Sequence, residues 1–128
     1  MSRIIALFNQ AGGVGKTSLV NQLGYMIACC KRLDVKTKKR SKKKGDYYQV
    51  LVVDMDPQAS LTIFMGLDPY ELDKTIYHAI LQDEPLPIHK GIYAQTQQED
   101  GTPGVDLVPA NLGLALAERE LMSAVMSD

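Results

Sequence analysis

Ala11-Gly12-Gly13-Val14-Gly15-Lys16-Thr17-Ser18 follows an apolar run, Ile4 to Phe8, and precedes a helical pattern. A strand, a glycine-rich turn and a helix make a phosphate cradle. With little bulk at Gly12, Gly13 and Gly15, the backbone can wrap an anion with its N–H groups, and the start of the helix adds partial positive charge. Lys16 then reaches the β- and γ-phosphates of a triphosphate, and Thr17 carries the hydroxyl that such loops offer to Mg2+. The usual spelling, G-x-x-x-x-G-K-[ST], wants glycine where this chain has Gln10, so it fails at one position with its core intact. A dinucleotide-binding reading of Gly13-Val14-Gly15 is weaker. It wants a third glycine at Ser18 and leaves Lys16-Thr17 without a purpose.

Outward from this loop, Ser2 to Phe8 reads as a buried strand, β-branched at Ile4 and Ile5. On the other side, Leu19, Val20, Leu23, Met26, Ile27 and Cys30 recur at helical spacing, which predicts one apolar face packed on a sheet. The pattern is lost from Lys31 to Asp46, where a lysine-rich run has little to bury and predicts a mobile loop or a frayed helix extension. Strand formers return from Gln49 to Val53 and lead into Asp54-Met55-Asp56-Pro57-Gln58. Pro57 ends the ladder, so two carboxylates stand at a strand's C-terminal end, where parallel α/β sheets place ligands. Asp54 and Asp56 are two residues apart and share a side while the chain stays extended. Beside a phosphate loop, one would hold the hydration shell of Mg2+ and the other would position the attacking water.

Leu61 to Leu67 and Leu72 to Leu81 are short helical candidates, and Gln95 to Gly104 is a polar loop before the short strand Val105 to Val108. Asn111 is placed to cap a last helix carrying Leu112, Leu116 and Leu121. His78 and His89 stand alone and read as surface or partly packed residues. With 128 residues, 45% of them hydrophobic, the chain is long enough for one domain with a packed core. It has no apolar run of the roughly 18 residues a bilayer requires and no signal-peptide layout. Two adjacent cysteines, Cys29 and Cys30, suit a reducing, cytoplasmic setting better than a structural disulfide. The net charge of −1 hides an asymmetry: nine of the 14 Lys and Arg residues fall between Lys31 and Lys44.

Three segments taken together resemble the ParA family of deviant-Walker ATPases: Asn9 to Thr17, Val50 to Ser60, and Asp106-Leu107-Val108-Pro109-Ala110-Asn111. The resemblance covers most of the chain except the lysine-rich segment. It implies an ATPase that dimerises on Mg-ATP, binds DNA without sequence preference, and works with a DNA-bound ParB-like partner to segregate plasmids or chromosomes. By the family's motif, Gly12, Gly13, Val14, Gly15, Lys16, Thr17 and Ser18 bind ATP and Thr17 binds magnesium. Asp56 matches the switch carboxylate that orients water, and Asp54 the neighbouring acidic position assigned to the metal.

The sequence departs from the family in three ways. Ala11 stands where a signature lysine reaches across the dimer, which removes a cation from the transition state and implies slow hydrolysis. Lys16 and Asp56 are further apart than the family pattern implies, so residues 31–46 read as an insertion. It is either a substitute footprint for DNA through Lys31 to Lys44 or a solvated loop. The family's later Walker B strand, adenine loop and C-terminal DNA-binding surface have no counterpart, so a small sheet with an exposed apolar edge is expected, inviting self-association or a full-length relative.

The expected fold is α/β: a three-layer, P-loop NTPase-like parallel sheet flanked by helices, with residues 1–128 forming the N-terminal part of a ParA-like nucleotide-binding domain. The expected function is ATP and Mg2+ binding with weak turnover, Lys16 and Asp56 carrying the chemistry, in a cytoplasmic homodimer without membrane attachment. The rivals are a nucleotide- or DNA-binding module that does not hydrolyse, and an inactive truncated product.

Overall fold

The computed structural model describes residues 2–8, 15–92 and 104–127. Helix α1 (Lys16–Ala28) is followed by β1 (Val50–Val53), two short helices α2 (Ser60–Phe64) and α3 (Ile76–Leu81), strands β2 (His89–Ile92) and β3 (Val105–Val108), and α4 (Gly113–Ser127). The three strands form one sheet in the order β1-β3-β2. β1 and β3 run parallel, with Val50 opposite Val105 and Val53 opposite Val108. β2 lies antiparallel on the other edge of β3, in an irregular register between His89 and Ile92.

As the central strand, β3 must be apolar on both faces, and Val105, Leu107 and Val108 are all buried. Alternation sends Val105 and Leu107 to one face, where they pack with Val52 of β1, Ala28 of α1, and Leu61 and Met65. Val108 faces the other way and packs with Ala59, Ile76 of α3, Ala110 and Leu114 of α4. Helices therefore cover both faces of a sheet with a parallel pair at its centre, the three-layer α/β arrangement. The second face is covered only near Val108: Leu51 and Val53 of β1 and the far half of α4, including Leu121, Met122 and Val125, are exposed.

Helix α1 packs on only part of the expected stripe: Val20, Leu23, Ile27 and Cys30 are half-buried, with Val20 against the core. Leu19 and Met26 are exposed, and the buried positions are Gly24 and Ala28. The cause is closeness. A Cβ built on Gly24 would stand 3.1 Å from Val52 Cγ2 and 3.7 Å from Val50 Cγ1, so small residues make the closest approach to β1 while Val20 and its neighbours pack beside them. Gly24→Val is expected to cost roughly 1–3 kcal/mol through overpacking, read as a lowered urea midpoint, whereas exposed Met26→Ala should change little.

Residues Ser2 to Phe8 do not form the expected strand; they are irregular, with Ile4 97% and Phe8 84% exposed. Both edges of β3 are occupied by β1 and β2, and this segment pairs with neither outer strand, so strand propensity without pairing leaves it irregular. The third strand is β2, which was not legible because His89-Lys90-Gly91 lacks strand character. Gly91 sits at φ 71° and its N–H is received by Asp106 Oδ1 at 3.0 Å, so pairing with β3 makes the strand. The polar loop expected at Gln95 to Gly104 lies almost wholly outside the described residues.

The lysine-rich segment is neither frayed helix nor structureless loop. It is an irregular hairpin: Tyr48 N–H donates to Cys30 O at 3.1 Å, Arg32 N–H to Asp46 O at 2.9 Å, and Ser41 N–H to Arg32 O at 2.8 Å. Isolated bridges join Lys31 to Tyr47 and Leu33 to Arg40. Its tip is an Asx turn in which Asp34 Oδ1 accepts Lys36 N–H and Thr37 N–H. The Thr37 and then the Lys36 backbone donors hold the Asp34 carboxyl below its ordinary range. Because the folded value is the depressed one, the turn is fully supported above the ordinary carboxylate range and loosens as the pH falls through the lowered value. Amide resonances of Lys36 and Thr37 should shift together at that acidic titration and stay constant near neutrality.

Candidate phosphate site at the carboxyl ends of the parallel strands

Gly15 caps α1 at φ 85° and ψ 13°, a left-handed conformation that favours glycine. A Cβ there would meet nothing within 4 Å, so backbone conformation rather than crowding accounts for the residue. The first intrahelical bond runs from Leu19 N–H to Gly15 O at 2.9 Å, and the N–H groups of the first turn point out of the helix end. No acidic residue lies in that turn, so its partial positive charge is unopposed locally. Thr17 is half-buried and Ser18 exposed. Gly12, Gly13 and Val14, with Ala11, lie outside the described residues.

The direction of α1 follows from its other end. Cys30 O accepts Tyr48 N–H, which fixes the C-terminal end of the helix beside the start of β1, and Gly24 crosses Val50 and Val52. The N-terminal end at Gly15 to Ser18 is therefore directed toward the carboxyl end of β1, where Asp54 and Asp56 lie.

There the two carboxylates part company. Asp54 is 3% exposed and its N–H donates to Val108 O at 3.0 Å, extending the parallel ladder by one residue. Its Oδ2 accepts Thr62 N–H at 2.9 Å and Thr62 Oγ1–H at 2.6 Å, while Oδ1 accepts Asp56 N–H at 3.1 Å. This last bond ends the extended geometry that would have kept both carboxylates on one side. Asp56 is exposed, accepts Gln58 N–H at 2.9 Å, and offers its carbonyl to Ala59 N–H. Ala59 takes φ 56° in the turn that starts α2.

Thr62 was not singled out from the sequence, and it joins the site together. Fully buried, it receives Ala110 N–H on Oγ1 at 3.0 Å while giving its own proton to Asp54. One threonine thus ties the end of β1, the start of α2 and the segment after β3. A lone hydroxyl inside Leu61-Thr62-Ile63-Phe64 was the available signal, since a polar group within an apolar run requires a buried partner. Asn111 behaves as expected, accepting Gly113 N–H at 3.0 Å at the start of α4 and also Thr75 Oγ1–H. His78 is structural: its Nδ1 accepts Thr75 N–H at 3.0 Å in a capping box on α3. Among the described residues no group of three or more His, Cys, Asp or Glu is arranged to hold a metal on its own. A cation at this site would take its remaining ligands from an anion and from water. Among the described residues, no helix is long and apolar enough to cross a membrane.

Comparison with known proteins gives matches over nearly the whole chain. A family model described as an AAA domain matches residues 2–128. A probable plasmid-partitioning protein ParA of Thermus thermophilus is 33% identical over 127 residues, 99% of this chain and 32% of that protein. The chromosome partitioning protein ParA of Caulobacter vibrioides is 30% identical over 119 residues, 93% of this chain and 36% of its own length. Among solved structures, cobyrinic acid a,c-diamide synthase from Mycobacterium smegmatis with bound ADP and magnesium aligns with a TM-score of 0.66 and 31% identity, over 95% of this chain and 40% of that one. The chain thus spans about a third of the length of the curated relatives it matches.

Proposed function

The chain belongs to the AAA-domain family, among its ParA-like P-loop ATPases, and from that premise we propose that it binds ATP with magnesium at the opening of α1. The observation that carries this reading is the left-handed Gly15 leading into a helix end with no acidic residue in its first turn, aimed at the carboxyl end of a parallel strand pair. We assign residues 1–128 to the N-terminal part of the nucleotide-binding domain, with 31–46 as an insertion. The backbone of Gly12 to Ser18 wraps the phosphates, Lys16 sets its ammonium against the terminal ones, and Thr17 turns its hydroxyl to the metal. Magnesium, when bound, would neutralise the negative charge of the phosphates.

The carboxylates divide the remaining work. Asp56, exposed at the strand end, receives a hydrogen bond from the attacking water and orients it in line with the γ-phosphate. Asp54 holds the Asp56 loop in place with three of its roughly four acceptor sites, leaving one for the metal's water shell. Turnover is slow, because Ala11 supplies no cation across a dimer. The relatives' names suggest a role in plasmid or chromosome partitioning, in the cytoplasm, as a homodimer or beside a full-length relative, with a ParB-like partner. Exposed Asp56 together with Ala11 also favours a second reading, a nucleotide-binding module without hydrolysis.

Titration calorimetry with Mg-ATP, with phosphate release followed in the same samples, tests both. Saturable, magnesium-dependent heat with slow release is the expected result. Heat without release would select the second reading, and absence of heat would end both.

A further inference from the structure

We infer that the hairpin between α1 and β1 is a binding surface for the phosphate backbone of duplex nucleic acid, engaged by charge alone and independent of nucleotide. The charge separation is large: residues 31–46 carry nine cations against Asp34 and Asp46, a net of +7, which leaves −8 on the rest of a chain whose total is −1. The hairpin fold sorts these cations into two sets. Lys31, Arg32 and Arg40 are engaged by contacts within the hairpin. Lys31 Nζ donates to Lys43 O at 2.7 Å and lies 4.1 Å above the Tyr47 ring. Arg40 Nη1 donates to Lys31 O at 2.9 Å, and Arg32 Nε is 3.9 Å from Asp46. These three hold the hairpin together.

The other six stand in two exposed turns, Lys36, Lys38 and Lys39 at the tip and Lys42, Lys43 and Lys44 on the flank. Among the described residues, none of the six side chains has an ion-pair partner. Of the hairpin's two carboxylates, Asp34 accepts from the backbone of its own turn and Asp46 lies 3.9 Å from Arg32 Nε. A concavity of about 680 Å3 is lined by residues of both turns, among them Thr37, Lys39 and Lys43.

The residue types choose among anionic partners. The cations left outward are lysines, compact point charges suited to spaced phosphates, while both arginines, whose forks read carboxylates or guanine edges bidentately, are used internally. Tyr47 lies under Lys31, and the Tyr48 hydroxyl accepts Leu33 N–H. Both tyrosines are half-buried, and the exposed part of the hairpin presents lysines rather than aromatic rings, which suits a duplex backbone better than unpaired bases. Leu33 and Val35 are its exposed apolar side chains, too little to insert in a lipid surface. The acidic remainder repels a polyanion and confines contact to the hairpin.

The test is fluorescence anisotropy of the whole chain with labelled duplex DNA of about 24 base pairs and mixed sequence, without nucleotide, from about 50 to 200 mM salt. Six phosphate contacts predict an affinity falling roughly a thousandfold across that range, alike for unrelated sequences. Replacing either lysine triplet by glutamine should lower the log–log salt slope by about three, and arginine at the same positions should restore it. Circular dichroism and thermal midpoints of the triplet variants should match the parent, since these side chains support no contact in the fold. Lys16→Ala should bind DNA as the parent does, which separates this surface from the nucleotide site. The proposal is overturned if DNA does not bind at low salt, or if the six-glutamine variant binds unchanged. It is equally overturned if vesicles with about a third anionic lipid bind while DNA does not, or if low salt produces only oligomers of the chain.

Discussion

Replacing Lys16 by alanine is expected to weaken Mg-ATP binding roughly 10- to 150-fold, the factor that follows from losing one hydrogen bond to a charged group. Lys16 is the first residue of α1, and helical side chains lean toward the N-terminus, back over the loop that precedes them. On the proposed assignment the ammonium would share the volume of the bound phosphates. Backbone donors and the helix end survive the substitution, so binding should weaken rather than vanish, and the increase in thermal midpoint that Mg-ATP gives the parent should nearly disappear. An affinity within about twofold of the parent would remove the phosphate site from the opening of α1.

The parts of this fold legible in the sequence are those in which local chemistry and tertiary packing agree. β1 and β3 are runs of valine and leucine long enough for a short strand, Asn111 caps α4, and glycine precedes Lys16 where a left-handed residue is required. Misreadings arose where a neighbour decides. The α1 face was read from large apolar residues, but contact at 3.1 Å between a Gly24 Cβ and Val52 rewards the smallest ones. The strand expected at Ser2 to Phe8 has the right residues but is unpaired, whereas β2 has the wrong residues and pairs with an edge of β3. The hairpin was hidden by its charge. Its order comes from backbone bonds, the Asp34 turn and Lys31 lying on Tyr47, none of which leaves an apolar periodicity.

The candidate site shows the same division. Glycine spacing and Lys16-Thr17 announce phosphate chemistry without structural help, and the two aspartates announce themselves by position at a strand end. Their different roles are not visible in the spacing. Burial separates them: Asp54 is enclosed by donors from two elements and Asp56 is left in solvent. The residue that enforces the difference, Thr62, lies eight positions from Asp54, beyond the reach of any local pattern.

Asp54→Ala is expected to destabilise the chain by about 3 kcal/mol or more, read as a lowered urea midpoint with little change in slope. The substitution removes the acceptor for Thr62 N–H, the Thr62 hydroxyl and Asp56 N–H together. The two Thr62 donors are buried where water replaces the acceptor poorly, and the Asp56 N–H is part-buried. Thr62→Val should cost about 1–3 kcal/mol, because Ala110 N–H then loses its acceptor. The double variant should cost less than the two single costs added, since both break one network. Asp56→Ala is the control. Its side chain is exposed and, among the described residues, accepts only Gln58 N–H, so the variant should stay within about 1 kcal/mol of the parent while lowering any phosphate release. Small domains hold only about 5–15 kcal/mol in all, so the Asp54 loss should move the midpoint visibly. An Asp54→Ala midpoint no lower than that of Asp56→Ala would mean that the buried carboxylate does not hold the loop. Asp56 would then have no fixed place from which to orient water.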